Sequence, residues 1–141
     1  MDLGLDIEGS ALQAAPAAIV ILLDTNALIW LEGNHPRARP LRSSGKQLYI
    51  APANLLELQI LMEAGRLRLR DRSVSDLAGD PWWLLDDPPA AAWFEKGLGL
   101  GWTRDPFDRL IVAHARFRGW RLATGDLTLS DRLAWEECIR L

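Results

Sequence analysis

One cysteine, two histidines and two lysines are all that 141 residues contain of these types, and each scarcity removes a class of chemistry. A lone Cys138 permits neither an intrachain disulfide nor a thiolate zinc site. His35 and His114 are too few and too scattered for an imidazole metal cluster, so any metal held here must bind oxygen. No segment reaches the roughly 18 apolar residues of a membrane span. The N-terminus carries Asp2, Asp6 and Glu8, and no Lys or Arg stands before Arg37, which is the wrong charge for a secretory signal. A soluble, cytoplasmic protein with no membrane partner is the expectation.

What is present is an ordinary globular balance, 49% hydrophobic and 25% charged, which argues against disorder and coiled coil. A chain of this length buries roughly two-thirds of its unfolded surface as one domain. The net charge is −3, yet the cations are almost all arginine, gathered in "RLRLRDR" (66–72), "TRDPFDR" (103–109) and "RFRGWR" (116–121). Arginine grips phosphate bidentately, so local basic patches could sit on an acidic protein; the plainer reading is salt bridging on a solvated surface.

Residues 1–18 contain little that could form a core and read as a poorly ordered extension before a single domain over 19–141. "IVILL" (19–23) has the continuous apolar character of a doubly buried parallel strand. A short helix over 26–31, a strand at 47–51 and a helix over 52–65, with proline near its start and glycine at its end, follow. "SVSDLAG" reads as a short helix, 86–89 as a break and 90–98 as a further helix. Residues 105–119 form the clearest helix, with Asp105 as N-cap, Pro106 in the first turn and Gly119 at the end. Strands at 120–124 and in the terminal "ECIRL" complete an alternation that predicts an α/β fold around a mainly parallel sheet.

Four acids interrupt this apolar plan. Asp24 and Asp126 follow strands 19–23 and 121–124 and so fall at the same sheet edge, where ligands bind in open α/β folds. An aspartate after a strand is also a common helix N-cap. Glu57 lies within helix 53–64 beside Ile60 and Leu61, an apolar setting that penalises an unpaired carboxylate unless the helix sits shallowly. Asp108 shares a face with Ile111, Val112 and Ala115, although Asp105 and Asp108 together also resemble a capping box. Carboxylates crowded into one pocket repel unless protons or cations compensate. Hard ions such as Mg²⁺ or Mn²⁺ suit all-oxygen sites and promote phosphoryl displacement by water. The chemistry suggested is metal-assisted phosphodiester hydrolysis.

In order, "LLDTNALIW", "IAPANLLELQIL", "TRDPFDRLIVAHAR" and "LATGD" resemble the acidic motifs of PIN-domain ribonucleases, and most closely those of VapC-type toxins from type II toxin–antitoxin pairs. The resemblance spans residues 19–141. It implies a PIN-like α/β/α sandwich in which Asp24, Glu57, Asp108 and Asp126 hold one or two Mg²⁺ or Mn²⁺ ions, with Asp24 and Asp108 as the direct ligands. It further implies an activated water attacking RNA to leave 5′-phosphate and 3′-hydroxyl ends, a cognate antitoxin laid over the groove, and a homodimer. Asp105 is assigned mainly to capping, and Thr25, Asn26 and Thr124 to hydrogen bonding around the acids or substrate. The 18 residues ahead of Ile19 depart from the family pattern. So does His114, where a polar residue such as glutamine is usual; it reads as a packed or hydrogen-bonded histidine.

Other readings compete. A non-catalytic PIN module binding RNA or protein would have no physical need of four acids, and an RNA-processing nuclease of the same fold remains open. A haloacid-dehalogenase-like phosphatase would carry D-x-D where Asn26 stands. A response-regulator receiver would need an acidic pair near the N-terminus and a late lysine. The seven tryptophans (30, 82, 83, 93, 102, 120 and 135) read as packing residues rather than base-stacking platforms. "PWWLLDDPP" would offer an apolar partner surface if exposed.

Overall fold

Ile19–Leu23 forms β1, the central strand, buried on both faces from Ile21 onward. The computed structural model describes residues 19–43 and 45–141; the extension expected over 1–18 lies outside them. After β1 come α1 (Thr25–Glu32), β2 (Lys46–Ile50), α2 (Pro52–Glu63), α3 (Val74–Ala78) and β3 (Leu84–Leu85). Then follow α4 (Ala90–Leu98), α5 (Pro106–Arg118), β4 (Arg121–Thr124), α6 (Leu127–Arg132) and β5 (Cys138–Arg140). The strands form one parallel sheet in the order β3-β2-β1-β4-β5, flanked by helices as the α/β/α expectation requires.

Successive β1 side chains enter opposite layers. Ile21 and Leu23 join Leu28, Leu58 and Leu77 on one side of the sheet, while Leu22 joins Ile111, Val112 and Leu129 on the other. Because β1 pairs with β2 on one side and β4 on the other, the chain reverses its winding at β1. The crevice beyond the carboxyl ends of β1 and β4 is therefore the natural ligand site.

Several elements differ from the sequence expectation. Pro36–Leu41 and Trp135–Glu137 are 3₁₀ turns, β3 occupies two residues for which no element is expected, and α6 follows Asp126 where no helix is expected. Trp120 precedes β4 rather than belonging to it, and Ala51 precedes α2. The stripe of α2 facing the core is Ala53, Asn54 and Leu58, whereas Leu56 and Ile60 are 58% and 44% exposed. The outer side of this helix is thus solvated, while Glu57 itself is half-buried.

Candidate active site

Each of the acids is delivered by a local rule of chain geometry. Asp24 leaves β1 with its backbone N–H bonded to the Ala123 carbonyl at 3.0 Å, which fastens it to β4. Its carboxylate caps α1 by accepting from the Ala27 N–H at 2.7 Å and also accepts from the Thr124 hydroxyl. Asp126 caps α6 through the Thr128 N–H at 2.8 Å, and its own N–H donates to Thr124 Oγ1 at 3.0 Å. Asp105 caps α5, accepting from the Phe107 and Asp108 N–H groups at 2.8 and 3.2 Å. Capping and cleft-lining are thus performed by the same aspartates, since the N-terminal ends of α1, α5 and α6 meet at this sheet edge.

Asp24, Glu57, Asp105, Asp108 and Asp126 line one cleft of about 300 Å³. All four acids singled out in the sequence are brought together there. Glu57 is half-buried and accepts from the Thr25 hydroxyl. Thr25 in turn accepts from Asn54 Nδ2 at 3.1 Å, and Asn54 Oδ1 accepts from the Ala51 N–H at 2.6 Å. This chain runs from the start of α2 through α1 to Glu57 and fixes the two helices against each other. Asn54 went unremarked in the sequence; an asparagine one turn before Glu57 on an otherwise apolar face was the available signal. Arg66, among the described residues the cation lining the cleft, stands in the sequence only as one member of an arginine run.

The cleft is electrostatically strained. Asp24, 5% exposed, has its carboxyl pushed up to about 6 by burial, against the pull of the Thr124 and Ala27 hydrogen bonds and with help from Asp126 and Glu57. Burial, followed by Asp105, Asp126, Glu57 and Asp24, pushes Asp108 up to about 7. Glu57 is raised by burial and by Asp105, and drawn down by Thr25 and Arg66. Among the described residues, the Asp108 carboxylate accepts no hydrogen bond and joins no ion pair. A half-buried acid with no partner, amid four others, suits a cation more than it suits the fold.

Among the described residues, no three acidic, histidine or cysteine side chains are gathered into a ready-made metal site. Like charges hold apart until a cation screens them, and ions of the Mg²⁺ kind keep several waters and take few protein oxygens. The all-oxygen donor set and the unpartnered Asp108 fit such an ion. Among the described residues, no helix is long and apolar enough to cross a membrane.

Comparison with known proteins gives a consistent answer. The sequence profile described as "PIN domain" matches residues 21–133. No curated protein sequence matches significantly. In fold, the chain is similar to a chain of VapBC2 from Rickettsia felis, bound to a DNA fragment from their promoter, with a TM-score of 0.64 and 18% identity over 87% of this chain and 99% of the other. It is also similar to a chain of a toxin–antitoxin complex from Klebsiella pneumoniae, with a TM-score of 0.59 and 18% identity over 84% and 95% of the two chains.

Proposed function

The chain belongs to the PIN domain family, and from that membership we propose that it is a metal-dependent endoribonuclease, the toxin of a toxin–antitoxin pair. The observation that carries the catalytic part is Asp108. Its half-buried, unbonded carboxylate is pushed up to about 7 in an acid-lined cleft at the sheet's carboxyl edge. A non-catalytic module would bear that cost with no return.

When bound, Mg²⁺ or Mn²⁺ supplies an activated water and screens the phosphate oxygens during in-line displacement. Asp24 and Asp108 would hold the ion, and Glu57 and Asp126 line the same cleft. Thr124 fixes the Asp24 carboxylate on the β4 side, and Thr25 fixes that of Glu57. These locked rotamers present oxygens without further ordering, which is the preorganisation such a site needs. Likeness in fold to two toxin–antitoxin complexes supports an antitoxin partner. Homodimerisation rests on the family resemblance alone.

The test is cleavage of a mixed single-stranded RNA pool by the purified chain in Mn²⁺ or Mg²⁺ and then in EDTA. Folded Asp24→Asn and Asp108→Asn variants run beside it. Metal-dependent cutting reduced at least a hundredfold in both variants is expected. Equal cutting by the folded variants, or no cutting by antitoxin-free wild type, sinks the catalytic reading.

A further inference from the structure

The segment "RLRLRDR" (66–72) leaves the cleft without a role in the site described above. Its burial alternates: Leu67 and Leu69 pack against the core layer that holds Leu28 and Leu58, while Arg66, Arg68 and Arg70 are exposed. The far end is anchored by Arg72, which pairs with Asp80 at 2.8 Å and Glu32 at 3.6 Å. Arg66 lines the acid cleft, and Arg68 and Arg70 line a second hollow of about 430 Å³ with Gly33, Asn34 and Glu32, the last of these already paired with Arg72.

Elsewhere the arginines divide. Arg39, Arg42, Arg104 and Arg121 also lack a side-chain partner among the described residues but do not alternate along one exposed segment, and the others are engaged. Arg116 pairs with Glu137 and Arg118 with Asp86, while Arg37 and Arg140 lie over Trp30 and Trp135. Among the described residues, Arg66, Arg68 and Arg70 enter no ion pair, hydrogen bond or ring contact. Three guanidinium groups without a contact partner, Arg66 acting on Glu57 only at a distance, are carried on a backbone pinned by leucines and are free to meet a repeating anion.

We propose that Arg66, Arg68 and Arg70 form a rail that guides the backbone of single-stranded RNA into the acid cleft. The inference rests on the ribonuclease reading and deepens it. Alternate residues of a stretched chain stand about 7 Å apart, on the scale of successive phosphates in an extended single strand. The rail begins at the cleft where a phosphate must lie to be cut. It also resolves an electrostatic problem: an acidic protein with five carboxylates in its site repels a polyanion unless cations nearby capture it.

The experiment measures fluorescence anisotropy of a labelled single-stranded RNA against salt, in an Asp108→Asn background with Mg²⁺ so that nothing is cut. It compares the intact rail with Arg66→Gln/Arg68→Gln/Arg70→Gln and with the corresponding triple lysine variant. Leu67, Leu69 and Arg72 are retained so that the fold survives, which thermal melts check. Each lost phosphate contact flattens the log–log salt slope by about 0.7 on single strands. The glutamine variant is expected to bind at least tenfold more weakly at low salt with the slope shallower by about 2, and the lysine variant to keep most of both. In the cutting-competent chain, the glutamine changes should raise KM for long RNA. Unchanged affinity and slope overturn the rail while leaving the nuclease standing. Unchanged RNA binding with loss of a copurifying protein partner overturns it in favour of a protein contact. A wild type that neither binds nor cuts RNA removes the nuclease reading and the rail together.

Discussion

Asp108 is a residue whose chemistry opposes the stability of its own fold. Without a hydrogen-bond donor or counter-ion, its charge is held against burial and against Asp105, Asp126, Glu57 and Asp24. An amide of the same shape removes that repulsion. Asp108→Asn should therefore abolish cleavage while raising the melting temperature of the metal-free protein at pH 7.5 by a few degrees, a gain on the order of 1 kcal/mol. Calorimetry on the two EDTA-treated proteins decides it. A melting point lowered by the substitution would show that the carboxylate has a structural partner after all. Gly125 is a second case of residue-level constraint, from sterics. A Cβ there would fall well inside contact with the Trp30 ring and 3.0 Å from the Arg37 guanidinium. The turn carrying Asp126 is thus pressed against α1. Gly125→Ala should cost about 1–3 kcal/mol by overpacking and weaken Mn²⁺ binding by displacing Asp126. Titration calorimetry with Mn²⁺, beside a urea melt, separates the two effects, and an alanine variant with wild-type values for both would show that the Trp30 ring yields freely.

At the scale of elements, legibility followed the physics of each segment. β1 and α5 were readable because a doubly buried strand is continuously apolar, and because Asp105, Pro106 and Gly119 supply a cap, a preset φ and a left-handed C-terminal residue with φ 72°. β3 was not readable. Two residues, both exposed, carry no periodicity, and they are strand only because Tyr49 and Ile50 offer partners. α6 was hidden because Leu127 is 74% exposed, so its apolar residues do not mark one face. The aspartates of the site were legible through position, but Asn54 acts through a tertiary hydrogen bond to Thr25, which no local pattern encodes. His114 was read as packed or hydrogen-bonded, and it is both. Fully buried, it bonds through Nε2 to Asp86 at 2.7 Å and packs against Trp93. Asp86 also accepts from Arg118, so one carboxylate ties α5 to the end of the edge strand β3. Asp86→Ala should cost about 2 kcal/mol, chiefly by leaving the buried imidazole N–H unpaired. Chemical denaturation measures this, and a loss below a few tenths of a kcal/mol would show that β3 is held by its ladder alone.

For the whole molecule, these opposed groups set the direction of its response to pH. Asp24 and Asp108 have folded pKa values of about 6 and about 7 against an unfolded value of 3.8. Between those limits the native state binds more protons than the unfolded one, so their contribution to stability falls as pH rises through 4 to 7. For Asp24 alone the shift corresponds to roughly 3 kcal/mol. His114 acts in the other sense. Burial lowers its pKa from 6.5, the unfolded chain takes up the proton first, and stability is lost as pH falls below that value. Asp86 and Glu137, whose pKa values are lowered by their arginine partners against the upward push of burial, add their loss only at pH below about 4. From pH 8 down to about 6.5 the acid cleft therefore outweighs His114, whose opposing proton uptake only begins in that range. The metal-free protein should melt at a higher temperature at pH 6.5 than at pH 8, and Asp108→Asn should flatten that difference. A divalent ion that binds the ionised carboxylates stabilises the native state by mass action, and competes with protons for them. Saturating Mn²⁺ should accordingly raise the melting temperature more at pH 8 than at pH 6.5, reversing the metal-free trend. Differential scanning calorimetry at both pH values, with EDTA and with Mn²⁺, supplies all four numbers. An equal Mn²⁺ increment at the two pH values would mean that the ion is not meeting the carboxylates that the fold holds under strain.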